Sequence, residues 1–347
     1  MFQATQRYQE IETKLSKDVL KIKASLNAMI YYRLFVFFLI PTVLYFFWNI
    51  NTSLKVLLVA IPVVLFFYLI KKNKQINDQY QLLKTKRDIN IDEQEPWNSS
   101  SSKFKNGAEF QDPQHPYTYD LDVFGKGSLF QYLNRAESIG GQEKLANWLA
   151  KAEKDQDELT ARQEAISEMA DKIEFRQATQ ARIRLCEEKK GDLDKLMKWS
   201  KEPKKIKINF FHKLLLWLVP VYSFGLLFML SWDWISVTLF LVLIVLPLTL
   251  SAVLLKPLNE EYKTLEKAFK SVSKYGEVFH FLGSTEWNSS KLIRIKEQTN
   301  GASESLTSLE KVVSAFDQRI NGLVMLFMNI FITWDLRCVL RLYKWKD

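Results

Sequence analysis

Asp120 and Asp122 stand two residues apart. Paired carboxylates can hold a metal or divide acid and base roles. Turn formers surround this pair, and turn or helix-capping roles suit it better. His115, His212 and His280 are scattered without zinc-ligand spacing. Cys186 and Cys338, the only cysteines, lie far apart and outside any CxxC, so a disulfide framework is excluded and reduced thiols are expected. Gly125-Lys126-Gly127 is the nearest fragment to a phosphate-binding loop. No G-x-x-x-x-G-K-[ST] surrounds it, and it reads as a turn. Glu187-Glu188 followed by Lys189-Lys190 reads as a solvated charge run, and neither G-x-S-x-G nor H-E-x-x-H occurs. Catalytic, cofactor-binding and metal-ligating residues are therefore expected to be none, and function is sought in binding.

The elements that carry these residues read as helical. The chain has 347 residues, 48% of them hydrophobic and 25% charged, with only 11 Gly and 9 Pro, which excludes disordered and collagen-like chains. A mean hydropathy of −0.12 is too polar for a protein made wholly of membrane spans. Tyr8, Ile11, Leu15, Val19, Ile22, Leu26 and Met29 recur every three or four residues, the spacing of one helix face. Ile76, Tyr80 and Leu83 mark a return helix. The two stripes either pack together as an antiparallel stalk or meet another part of the protein. A linker spans 91–116, with the serine run 99–102 and Asp112-Pro113 as its turn formers. Helical pattern then covers 117–210, broken at Gly140-Gly141, and resumes over 257–347 with a break at 283–290 and Ser303 as an N-cap. Strand-period alternation is absent, so the fold class is all-α.

Four stretches without a charged residue interrupt this pattern: 34–50, 56–70, 214–232 and 235–255. A spanning helix needs about 20 apolar residues. The second stretch reaches this by starting at 53 and letting Lys55 snorkel. The four pair as two transmembrane hairpins, within 1–90 and 211–256. Lysine and arginine crowd the outer flanks, from Arg7 to Arg33, Lys71 to Lys74, and Lys201 to Lys213, which places both termini and the middle region in the cytoplasm. Each stretch holds one proline: Pro41, Pro62, Pro220 and Pro247. None holds a mid-span ionisable residue, which argues against transport. Residues 322–334 are nearly all apolar but short, and contain Asn329. They read as a buried core helix, with a fifth membrane segment as the alternative.

The net charge of +9 admits nucleic acid or anionic lipid as a partner, and Lys103, Lys105 and the 201–207 lysines are candidates for either.

One ordered set of residues is more specific. Asp120-Leu121-Asp122 leads into Ser128-Leu129-Phe130-Gln131-Tyr132-Leu133-Asn134-Arg135; Gly140-Gly141 precedes Leu145-Ala146-Asn147-Trp148-Leu149; Arg162-Gln163-Glu164-Ala165-Ile166 follows. This resembles the start of the core, or lever, domain of the MutS family of DNA mismatch-repair ATPases. Residues 328–336, with Asn329 and Asp335, resemble a later helix of membrane-bound MutS-related bacterial proteins. The resemblance covers roughly 117–200 and 258–347. It implies that Asp122, Ser128, Leu129, Leu133, Asn134, Gly140, Leu145, Trp148, Leu149, Arg162, Asn329 and Asp335 are family-motif positions with structural roles. The family's threonine falls on Ala136 or Ser138 and its arginine on Gln142 or Glu143, and no Phe-x-Glu mismatch-reading wedge occurs. The family's ATP and Mg bind in a C-terminal domain that these residues do not reach. The resemblance implies a protein of the bacterial inner membrane, with membrane lipid, DNA and a second copy of the chain as partners. A helical membrane scaffold or adaptor with no DNA role is the alternative.

Overall fold

In a computed structural model, described for residues 2–47, 50–95, 102–204, 209–317 and 322–346, the chain forms thirteen α-helices and one 3-10 turn. The described residues contain no strand. Residues 99–101 of the serine run, Lys205 and Lys207 lie outside the described residues, as does the side chain of Lys55. The chain divides into two compact units, each assembled from three stretches.

Unit 1 comprises Met1–Lys23, Asp78–Leu193 and Ser271–Thr307. It takes in the start of α1 (Phe2–Phe46) and the end of α2 (Thr52–Asp92), which are single helices as their stripes require. Lys14 lies within electrostatic reach of Lys86, and Tyr8 within reach of Glu93. The two helices therefore run antiparallel here, and Tyr8 also lies within reach of Arg176. Leu15, Val19 and Ile89 are buried. The rest of the unit is α3 (Leu129–Leu133), α4 (Ile139–Ala150), α5 (Gln156–Ala170), α6 (Ile173–Cys186), the end of α10 (Leu246–Gly283) and most of α11 (Ser290–Asp317). Gly140 and Gly141 do not break a helix. They form the first turn of α4, which Ser138 caps by accepting from the Gly141 amide at 3.1 Å. Ser303 is not an N-cap but lies inside α11. The start of that helix is satisfied instead by Glu168, which accepts from the Asn288 and Ser289 amides at 3.0 and 2.9 Å.

Unit 2 comprises Ala24–Asn77, Asp194–Lys270 and Ser308–Asp347. It holds the apolar parts of α1 and α2, where Phe37 and Phe66 approach to 6.5 Å. It also holds most of α7 (Asp192–Lys201), α8 (Phe210–Ser231), α9 (Val237–Leu243), α12 (Gly322–Ile332) and α13 (Trp334–Lys346). Among the described residues, two helices are long and apolar enough to cross a membrane, over Thr5–Phe46 and Phe210–Ser231. Their apolar windows are only 6% and 22% buried within the molecule, so side chains such as Phe35, Phe38, Trp217 and Val221 face outward. The stretch 235–255, expected as one span, is not one helix: α9 ends in a turn at 244–245 and α10 begins at Leu246. Pro247 falls in the first turn of α10, where its missing amide, which could not serve the Leu243 carbonyl, costs least. Pro41, Pro62 and Pro220 are carried inside unbroken helices.

Candidate functional site

The family-motif positions expected in 117–200 fall in unit 1, and their geometry is that of a joint. The segment 104–134 folds around Phe130, which packs with Val123, Phe124, Ala146, Phe110, Leu145 and Leu149. Gly107 adopts φ +68° against the face of the Phe130 ring, where a Cβ would lie 2.6 Å from a ring carbon. Asp122 supplies a left-handed turn residue at φ 47°, and Gly125 and Gly127 have φ 108° and 74°, so the glycine-lysine-glycine fragment is a turn as expected. Ser128 caps α3 by accepting from the Gln131 amide at 3.2 Å. Asn134 closes the same helix. It donates to the Lys105 carbonyl at 3.3 Å and accepts from the Ala136 amide at 3.0 Å.

Leu129 and Leu133 are exposed rather than packed. With only five residues in α3, the inner face falls to Phe130 and Gln131. Gly140 has open space around its Cα. The steric requirement lies on Gly141, where a Cβ would come within 2.8 Å of Ser138 Oγ. Trp148 sits under the Arg162 guanidinium, 4.4 Å from its ring centroid, and Arg162 also bonds Glu153 at 2.9 Å. The pair ties α4 to α5. Asn329 and Asp335 belong to unit 2, where the Asn329 side-chain Oδ1 accepts from the Asp335 amide at 3.0 Å and bridges the break between α12 and α13.

The strongest electrostatics were invisible in the motif. Arg184 of α6 bonds Asp92 at the end of α2 at 2.8 Å and Glu137 at 2.7 Å. Burial alone would lower the Arg184 pKa; Glu137 and then Asp92 more than offset this, and the guanidinium is held above its usual value. Asp92 also meets Lys103 at 3.1 Å, and Arg135 bonds Glu93 at 2.5 Å. Asn90 and Gln177 exchange amide hydrogen bonds at 3.2 and 2.8 Å. The end of α2 is thus stitched to α6 and to the 134–138 loop. Periodicity offered no signal for pairs separated by 87 to 92 residues.

The charge run at 187–190 is not wholly solvated. Glu188 accepts from the Ile139 amide at 3.0 Å and from the Tyr275 hydroxyl at 2.8 Å. Burial, then the hydrogen bond to Glu188, raises the Tyr275 pKa. Lys105, a candidate for anion contact, donates to Gln142 at 3.2 Å. His115 is engaged locally: its Nδ1 accepts from the Thr118 amide at 3.2 Å, and its Nε2 lies 3.1 Å from the Ala150 carbonyl. Among the described residues no group of three or more His, Cys, Asp or Glu is placed to hold a metal ion. The arrangement fixes helices against one another.

Residues 114–216 match the family model for MutS domain III. That stretch is similar to MutS domain III, and the match takes in the first of the two parts over which the sequence resemblance runs. No curated protein and no solved structure matches the chain.

Proposed function

We propose that this chain is a membrane-anchored, MutS-related module that binds DNA, or a partner in DNA repair, on the cytoplasmic side of a bacterial inner membrane. The observation that carries the reading is the match of residues 114–216 to MutS domain III. Anchoring is supported by the outward-facing apolar residues of α1 and α8, which bury little against their own chain. The corresponding faces of α2 and α9, with Leu57, Ile61, Val237 and Val242 exposed, support two hairpins of spans. The basic flanks orient them with both termini in the cytoplasm. The rigid joint built on Arg184 suits a region that holds or transmits the position of long helices and acts by binding.

A second reading, a helical membrane scaffold with no DNA role, is favoured by one observation. The arginines of the matched region are largely engaged internally: Arg135 with Glu93, Arg162 with Glu153, Arg182 with Glu277, and Arg184 with Asp92 and Glu137.

The test is duplex DNA binding by the full chain in lipid nanodiscs across a salt series. Phosphate contacts give a log–log salt slope of about −0.9 per contact. A slope of several units supports the DNA reading. Undetectable binding at low salt overturns it, and stable self-association under the same conditions selects the scaffold.

A further inference from the structure

We infer that α12 is itself embedded in the bilayer, as a half-span lying along α8 with Met325, Leu326 and Phe327 turned to acyl chains. This rests on α8 spanning the membrane as proposed above.

Contacts fix the register. Ile330 packs with Leu226, its carbonyl accepts from Ser223 Oγ at 2.6 Å, and the Phe331 ring lies 5.5 Å from Phe224. Further along the chain, Arg337 Nη2 donates to the Leu216 carbonyl at 3.0 Å. As numbering rises from 330 to 337, the partner in α8 falls from 223 to 216. The strand of contacts is therefore antiparallel, and α12 lies against the half of α8 far from Lys201, Lys204 and Lys213. In the orientation proposed above, that is apolar depth and not headgroup.

The composition of α12 fits this depth. Gly322–Ile332 has no charged residue, and its exposure falls along its length: Met325, Leu326 and Phe327 are 37–43% exposed, with the Phe327 ring stacked on Phe331 at 6.4 Å, while Asn329 and Ile330, one turn on, are buried. The second half of the helix is buried or half-buried, as a core helix would be, and the turn before it is not. Nor is the helix a full span. Eleven residues rise about 16 Å, half of a hydrocarbon core of about 30 Å.

The end of the helix is built for a place without water. A helix that stops inside hydrocarbon leaves carbonyls that only protein groups can satisfy. Ser223 serves the Ile330 carbonyl. Arg337 Nε serves that of Ile332 at 2.8 Å, together with Thr333 Oγ1 at 2.7 Å. The Asp335 amide, in the first turn of α13, is served by Asn329. Phe327 stacks on Phe331, whose ring packs against the exposed Phe224, so this turn continues the outward apolar surface of α8 and acyl chains are the occupant it fits.

The test is nitroxide labelling of single added cysteines in the full chain, reconstituted in phosphatidylcholine–phosphatidylglycerol vesicles. The positions are Leu326→Cys on α12, Val221→Cys on α8 and Leu129→Cys as the water-exposed reference; Met325→Cys replaces the first if that variant does not fold. Both native cysteines are buried, and the unsubstituted chain sets the background. The expected result is loss of collisions with a polar relaxation agent, and gain with oxygen, at 326 and 221 alike. Polar collisions at 326 with protection at 221 overturn the inference and leave the anchor standing. Polar collisions at both overturn the anchor as well. Protection of 326 from both agents means that protein covers the face, and the inference falls.

Discussion

Arg337 donates its guanidinium to the carbonyl of Leu216 at 3.0 Å, the carbonyl that Pro220, four residues on, has no amide to serve. A proline inside a helix normally leaves such an acceptor to water or to a neighbour. Here the neighbour is the helix that follows α12. The same guanidinium reaches the Ile332 carbonyl at 2.8 Å, so one side chain closes two interruptions.

Arg337→Ala is therefore expected to destabilise the protein by about 1–3 kcal/mol, the range for a half-buried acceptor left unsatisfied. Pro220→Ala restores the missing amide. In that background the loss from Arg337→Ala is expected to shrink by about 1 kcal/mol. Thermal unfolding of the four proteins in one detergent measures the coupling. Equal losses in both backgrounds would show that the arginine does not serve Leu216.

Gly107 and Gly127 both have left-handed backbone, at φ +68° and +74°, yet alanine is expected to be tolerated unequally. At Gly127 nothing lies within 4 Å of the added carbon, and only backbone strain of about 1 kcal/mol applies. At Gly107 the Phe130 ring must move as well, which adds about 1–3 kcal/mol of overpacking. The midpoints of urea unfolding rank the two variants, and a Gly107→Ala protein as stable as Gly127→Ala would refute the packing described for Phe130.

Arg184→Leu removes the shared partner of Asp92 and Glu137. Because the guanidinium is only partly buried, the loss is expected at about 2 kcal/mol, below the 3–5 kcal/mol of a fully buried pair. Asp92, whose side chain is 2% exposed, suffers more than Glu137 at 21%. Adding Asp92→Asn to Arg184→Leu should thus recover more stability than adding Glu137→Gln, read by chemical denaturation.

Glu168 governs an acid-range dependence. The Ser289 amide above all, then the Asn288 amide and Lys172, hold its pKa down from 4.5 to about 2, against the effect of burial. A depressed carboxylate pKa stabilises the fold above the unfolded value and loses that contribution as pH falls through the folded one. Stability is expected to decline between pH 4.5 and about 2 through this group. Glu168→Gln should flatten that part of the profile of melting temperature against pH. An unchanged slope in the variant would remove Glu168 from the account.

Helix periodicity predicted long stretches of the fold well. The stripe from Tyr8 to Met29 lies within one helix, and each of its residues is at least half-buried. What local pattern lacks is information on partners. Leu129 and Leu133, apolar positions of the family motif, are exposed, because a five-residue helix has one inner face and Phe130 occupies it. Glu188 looked like surface and holds Tyr275 and the start of α4. Arg184 showed no sign of its role, since Asp92 and Glu137 stand 92 and 47 residues away. The interruption at 244–245 was not legible from proline alone, since Pro41, Pro62 and Pro220 sit inside unbroken helices and only Pro247 stands beside a break.

Each unit draws on three separated stretches of chain, and this sets an order of events during synthesis. The partners that close unit 1, Tyr275 for Glu188 and the Asn288 and Ser289 amides for Glu168, leave the ribosome more than 80 residues after the groups they serve. By then the apolar parts of α1, α2 and α8 have already emerged. Late contacts between distant residues slow folding, since a long loop must close first. The nascent 102–204 region must therefore wait, half-assembled, with Glu188 and Glu168 still open to solvent. A chaperone would meet that intermediate before the native protein exists.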